Sequence, residues 1–397
     1  MPPMTQSKSN AKQLPNSLPP LSAYIHIPWC VKKCPYCDFN SHAFDENEKG
    51  EELPELDYLY SLASDLQDDL PLVQDRLLES VFFGGGTPSL FSDTAIGNLI
   101  TLLDKTVGFA PDCEITLEAN PGTFEAAKFA GYRELGVNRL SIGVQSFETE
   151  KLEKLGRIHS ADEAIKAFGI ARDAGFDNIN LDLMHGLPNQ SSDQALADLQ
   201  QAIDLGPEHI SWYELTIEPN TEYYKRPPKL PNESILASIN DEGHALLDAA
   251  GYRRYETSAY CMDDKRSRHN MNYWQFGDYL GIGAGAHSKL TDAKGIHRFS
   301  KTRAPTHYLN AMNGYRVSEA TIEKDEHSFE FLMNALRLID GSSFEIFESR
   351  TDLSLEEINK TIDQLCTLGY LERDTERFWP SAKGVRYLNN CLMELMV

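Results

Sequence analysis

Short β-branched, apolar runs alternate with longer stretches of helical spacing through the first half of the chain. The runs 23–27, 80–83, 114–119, 139–144, 178–183 and 209–216 predict strands. Between them, 56–70, 93–103, 125–135, 161–174 and 193–205 carry apolar residues at helical intervals and predict helices. Strands alternating with helices imply parallel pairing through right-handed crossovers. Six such units stop two short of a closed eight-fold barrel. The pattern therefore predicts an α/β fold, a partial (β/α)6 barrel over residues 23–225, with its chemistry at the carboxyl ends of the strands.

A Pro-rich stretch at 225–231 breaks the alternation. An extension, residues 226–327, follows with a predicted helix at 233–250, a strand at 252–259 and two unusual segments at 269–274 and 281–288. From 328 to 397 the chain reads as a small α+β module, in which 365–373 and 377–382 resemble the turn and wing of a winged helix. That module is short of positive charge, which favours packing or interaction over DNA binding.

The formal net charge of −23 weighs against a nucleic-acid partner, because phosphate binding draws on Lys and Arg clusters. No apolar run approaches the ~18 residues that a membrane span requires. Residues 1–22 are rich in Pro, Ser, Gln and Asn, with neither an apolar core nor an Arg-rich amphipathic pattern, and read as a disordered leader. The cytoplasm is the expected location.

Cys30, Cys34 and Cys37 form a CxxxCxxC run on one loop directly after the first predicted strand. Three thiolates can hold three irons of a cubane [4Fe–4S] cluster and leave the fourth iron open to a small molecule. Zinc is the competing reading. It normally takes four ligands in paired motifs, whereas Cys113, Cys261, Cys366 and Cys391 stand alone. Gly84-Gly85-Gly86-Thr87-Pro88 follows the second strand, where missing side chains admit a ligand close to the backbone. The sequence lacks the GK[ST] ending of a P-loop. Glu118 and Gln145 end successive strands and Asp182 lies on the next, an arrangement that points to a shared polar ligand. Arg157 offers a planar fork for a carboxylate.

Together these motifs, with Gly143-Val-Gln-Ser-Phe147 and Asp182-Leu-Met-His-Gly-Leu-Pro188, resemble the oxygen-independent coproporphyrinogen III oxidase (HemN-like) family of radical S-adenosylmethionine (SAM) proteins. The resemblance implies a radical-SAM barrel with the cluster on Cys30, Cys34 and Cys37. It also implies a SAM pocket lined by Tyr24, Tyr36, Gly85, Gly86, Thr87, Glu118, Gln145, Arg157 and Asp182. Two departures matter. The oxidase carries a further cysteine two residues past the third, where this chain has Phe39, and a closing N-terminal segment, where this chain has only the polar leader. Both match the heme-chaperone branch of the family, marked by an HNxxYW segment that reads here as His269-Asn270-Met-Asn-Tyr273-Trp274. That branch implies heme as a ligand and heme-acceptor proteins as partners, including transient contact with membrane-bound acceptors. His269 is the expected axial ligand, imidazole being a common donor to heme iron; His287 is a second candidate. Decarboxylation of coproporphyrinogen III is the alternative activity.

Overall fold

In a computed structural model describing residues 18–44 and 52–396, one long sheet runs through most of the chain. Its centre is β1 (Leu21–Ile27), β2 (Leu78–Gly85), β3 (Phe109–Ala119), β4 (Arg139–Gln145), β5 (Ile179–His185) and β6 (His209–Glu214), paired parallel in that order. The six predicted strands are all present. Of the expected leader, residues 1–17 lie outside the described residues, while Leu21 and Ser22 already belong to β1.

The segment expected as an extension joins this sheet at both edges. β7 (Ala259–Cys261) pairs antiparallel with β6. β8 (Asp278–Ile282) lies parallel beside β1, and β9 (His287–Asp292), β10 (Gly295–Lys301) and β11 (Arg316–Ile322) continue outward antiparallel. The predicted strand at 252–259 is broken into Arg253–Arg254 and β7. Glu256, buried between them, turns the chain by accepting from Ser258 N (3.1 Å) and Thr257 Oγ1 (2.9 Å).

Alternation along each strand separates the two faces. Ala23, Ile25, Val81, Phe83, Leu117, Ile142 and Leu181 enter the apolar core shared with the helices. The inner face is polar, with Ser22 and Ser80 bonded at 2.7 Å and Ser141 bonded to Asp182 at 2.8 Å. Around the outside run α1 (Glu55–Asp69), α2 (Asp93–Thr106), α3 (Phe129–Glu134), α4 (Ala161–Asp173) and α5 (Ser192–Leu205). Spacing and caps explain these helices. In α1, Tyr58, Leu62 and Leu66 fall four apart on the buried face. Capping boxes Ser160/Glu163 and Ser191/Gln194 start α4 and α5, and left-handed Gly206 stops α5. The helix predicted over 125–135 is interrupted before α3. Lys128 turns inward there and donates to the carbonyls of Ser89, Leu90 and Phe91 at 2.5–3.0 Å.

Beyond α6 (Glu233–Ala249) and the short α7 (Arg268–Trp274), the chain ends in α8 (His327–Ala335), α9 (Phe344–Thr351) and α10 (Leu355–Thr367) with a small sheet. Its strands Leu371–Arg373 and Arg377–Pro380 form the wing hairpin. Phe276, in the turn before β8, and Ile296 and Ile322 from the main sheet share an apolar core with Phe331, Phe347 and Ile362, so the module is packed onto the barrel's edge.

Candidate functional site

The three-cysteine loop is pinned to the ends of β1 and β2 by backbone bonds. Gly86 N donates to Ile27 O (2.8 Å), Thr87 N to Trp29 O (2.7 Å), and Cys37 N closes a turn on Cys34 O (3.2 Å). A Cβ on Gly86 would stand 2.5 Å from Trp29 O, and Gly85 sits at φ +118°, so neither place tolerates a side chain. The glycines are needed because two loops touch here through their backbones.

A cavity of about 460 Å³ opens above the strand ends. Cys30, Cys34 and Cys37 line it together with Tyr36, Gly85, Gly86, Thr87, Glu118, Gln145, Arg157 and Asp182. Burial pushes the Cys30 and Cys37 thiols upward, and Cys37 Sγ lies 3.6 Å from Ser41 Oγ. Half-buried Arg157 reaches across the cavity, donating to Asn120 Oδ1 (2.6 Å), Gly143 O (2.7 Å) and Cys34 Sγ (3.9 Å). Gln145 occupies the left-handed region (φ +70°), a strained place for a non-glycine residue, and its Oε1 accepts from Tyr213 Oη (2.9 Å).

Two carboxyls share this floor. Asp182 accepts from Ser141 Oγ (2.8 Å) and Asn180 Nδ2 (2.9 Å), and burial raises its pKa. Glu118 accepts from Gly85 N (3.2 Å); burial first and Asp182 second push it up to about 8. At neutral pH it is therefore mostly a neutral acid, ready to ionise for a cationic ligand.

A second cavity, about 390 Å³, lies beside the first and shares Phe39, Gly85 and Glu118 with it. Tyr24, expected in the first cavity, faces this one, with Tyr273, Tyr279, His287 and Arg303. His269 lines neither cavity and lies behind Tyr24 in the wall of the second. It is buried, its ring 4.7 Å from Phe82 and 6.2 Å from Tyr24, with Nδ1 3.4 Å from Ser80 Oγ. Burial pushes its pKa down to about 3. In the expected heme-binding segment it is Tyr273, one helical turn on, that meets a cavity.

Sequence reasoning missed Asn120, Tyr213 and Asn40. Asn120 bridges Arg157 to Thr87 Oγ1 (3.2 Å), and Asn40 donates to Ala284 O (2.8 Å) and Arg303 O (2.9 Å). The first two follow or end inner-face strands, a position that could have singled them out. Asn40 bonds to residues more than 240 positions away, and no local signal marks it.

Residues 24–202 match the model of the Radical SAM superfamily and residues 322–387 that of the HemN C-terminal domain. The chain is 50% identical to the heme chaperone HemW of Haemophilus influenzae, over 96% of this chain and 98% of that protein. The chain belongs to the HemW family. HemW of Escherichia coli is 49% identical over 96% of this chain and 99% of its own. The coproporphyrinogen III oxidase HemN of Escherichia coli, a radical SAM enzyme, superposes with a TM-score of 0.79 at 24% identity, covering 95% of this chain and 90% of that one. That likeness establishes the HemW-family chain's fold as a radical-SAM barrel with a HemN-type C-terminal module.

The residues at the first cavity fit a cubane cluster. A cubane asks each thiolate for a different iron, so three thiols facing one cavity satisfy it without converging. Among the described residues no helix is long and apolar enough to cross a membrane.

Proposed function

We propose that the protein is a heme chaperone that binds heme and passes it to acceptor proteins. Cys30, Cys34 and Cys37 hold a [4Fe–4S] cluster, and exchangeable SAM occupies the first cavity. The cluster, when bound, supplies an open iron for the amino and carboxylate groups of SAM. The protein's own groups do the rest. Gly85 and Gly86 let the ligand approach the backbone, while Thr87 and Arg157, joined through Asn120, hold the wall beside it. Glu118 and Asp182 present carboxyls from the floor, and Tyr36 and Gln145 bound the sides. Tyr24 serves the second cavity. His269 braces the rings of Phe82 and Tyr24 from behind, a packing role in place of the expected iron ligand.

The observation that carries this reading is the shared wall. Phe39, Gly85 and Glu118 face both cavities, so a second ligand has a place beside a SAM-filled site. The HemW relatives, named heme chaperones, support heme as that ligand. Phe39 stands where the oxidase has its extra cysteine, which favours a chaperone over a decarboxylase. The cytoplasm remains our proposed location.

The test is anaerobic reconstitution followed by heme titration and a coproporphyrinogen III decarboxylation assay. Expected are a brown cluster chromophore, saturable heme binding and no decarboxylation. Cys30→Ala, Cys34→Ala and Cys37→Ala should each lose the chromophore, while Cys113→Ala and Cys261→Ala keep it. Sustained turnover of coproporphyrinogen III would overturn the chaperone assignment.

A further inference from the structure

The second cavity differs in character from the first. One side is aromatic, made by Tyr24, Tyr273, Tyr279 and the exposed Phe39. The other carries nitrogen bases, His287 and Arg303, both on the exposed rim. In a chain of net charge −23, this cavity is short of negative charge. Among the described residues, Glu118 is the one carboxyl side chain lining it, and burial and Asp182 keep it largely protonated at neutral pH. Among the described residues no carboxylate pairs with Arg303.

The two basic residues are held in place from behind. His287 opens β9 after the Gly283-Ala-Gly-Ala turn, and both Asp65 Oδ2 and Tyr308 Oη bond Gly283 N at 3.1 Å. Tyr58 Oη bonds Ala284 N at 2.8 Å and donates to His26 O at 2.7 Å. Asn40 then donates from one amide to Ala284 O and Arg303 O, so a single side chain ties the segments that carry His287 and Arg303. Gly285, at φ +83°, is where Asn40 passes against the backbone. A ligand entering here meets flat faces, an imidazole and a guanidinium carried on backbone that is already fixed.

Flat apolar faces favour a planar macrocycle, imidazole a metal centre, and guanidinium a carboxylate. Iron protoporphyrin, which carries two propionates, has all three complementary features. We propose that the second cavity is the heme seat, with His287 supplying the axial nitrogen and Arg303 pairing a propionate. This rests on the heme-binding reading above.

The experiment uses the full, cluster-reconstituted protein and three probes: ferric heme, heme dimethyl ester and metal-free protoporphyrin IX. Arg303→Gln should weaken heme and protoporphyrin about tenfold and leave the dimethyl ester unchanged, since a charge-assisted pair is lost only where a carboxylate exists. Arg303 is exposed, so the variant should fold and keep its cluster iron. His287→Ala should shift the Soret band and weaken heme, with protoporphyrin unaffected. Equal losses for heme and ester in Arg303→Gln, or an unaltered heme spectrum in His287→Ala, would sink the assignment while heme binding itself stands. A wild-type protein that binds no heme would overturn both this assignment and the chaperone reading.

Discussion

Glu118→Gln separates charge from shape at the floor of the first cavity. Desolvation of the half-buried Glu118 carboxyl first and nearby Asp182 second raise its pKa to about 8 against an ordinary 4.5, and the Gly85 N donor only partly opposes them. One pKa unit is worth about 1.4 kcal/mol, so keeping it ionised at pH 7 costs about that much. A cationic ligand that pairs with the carboxylate must first displace its proton. The Kd for SAM should therefore rise about tenfold for each pH unit below 8 and level off above it. Stability runs in the opposite sense. A folded pKa raised above the unfolded one makes the Glu118 contribution full below about 4.5, and it is lost as pH rises through about 8. Glutamine fills the same space without a proton to lose. In Glu118→Gln the pH slope of SAM binding should vanish, and the alkaline loss of stability should shrink. Anaerobic calorimetry in two buffers of different ionisation enthalpy counts the protons released on binding, and thermal melts follow the stability. A flat wild-type Kd across this range, or a slope that persists in Glu118→Gln, would refute the reasoning.

Two further substitutions test the supports of the cavities. Gly86→Ala puts a Cβ 2.5 Å from Trp29 O and 2.8 Å from Trp29 C, both backbone atoms. It should cost about 1–3 kcal/mol and lower iron incorporation on reconstitution, and a variant with unchanged melting and full iron content contradicts the packing account. Lys301 is fully buried between Asp65 and Asp69, and Arg316 also reaches Asp69 at 2.7 Å. Lys301→Met leaves buried Asp65 without its cation and should cost about 3–5 kcal/mol, read as a lower denaturant midpoint; an unshifted midpoint removes the ion cluster from the supports of the His287 turn.

Local pattern was enough for the central architecture and for part of the first cavity's lining. Strand alternation and helical spacing depend on neighbours in sequence, so β1–β6 and most of their helices were legible. The cysteine loop, the glycines and the strand-end polar residues were legible too, because parallel strands deliver their carboxyl ends to one rim. Only the tertiary structure decided where the extension goes. Edge pairing of β8 with β1 and β7 with β6 joins residues far apart in sequence, and no periodicity encodes which edge a strand takes. Lys128 broke a helix that its own spacing supported, because three carbonyls of a distant turn needed donors. The His269–Trp274 segment shows the same limit most sharply. Its residue types were visible, but α7 packs against β2 so that Phe82 stacks on His269 while Tyr273 reaches the second cavity. Which side of a helix meets a cavity depends on the element packed against it, and that element is brought there by the fold.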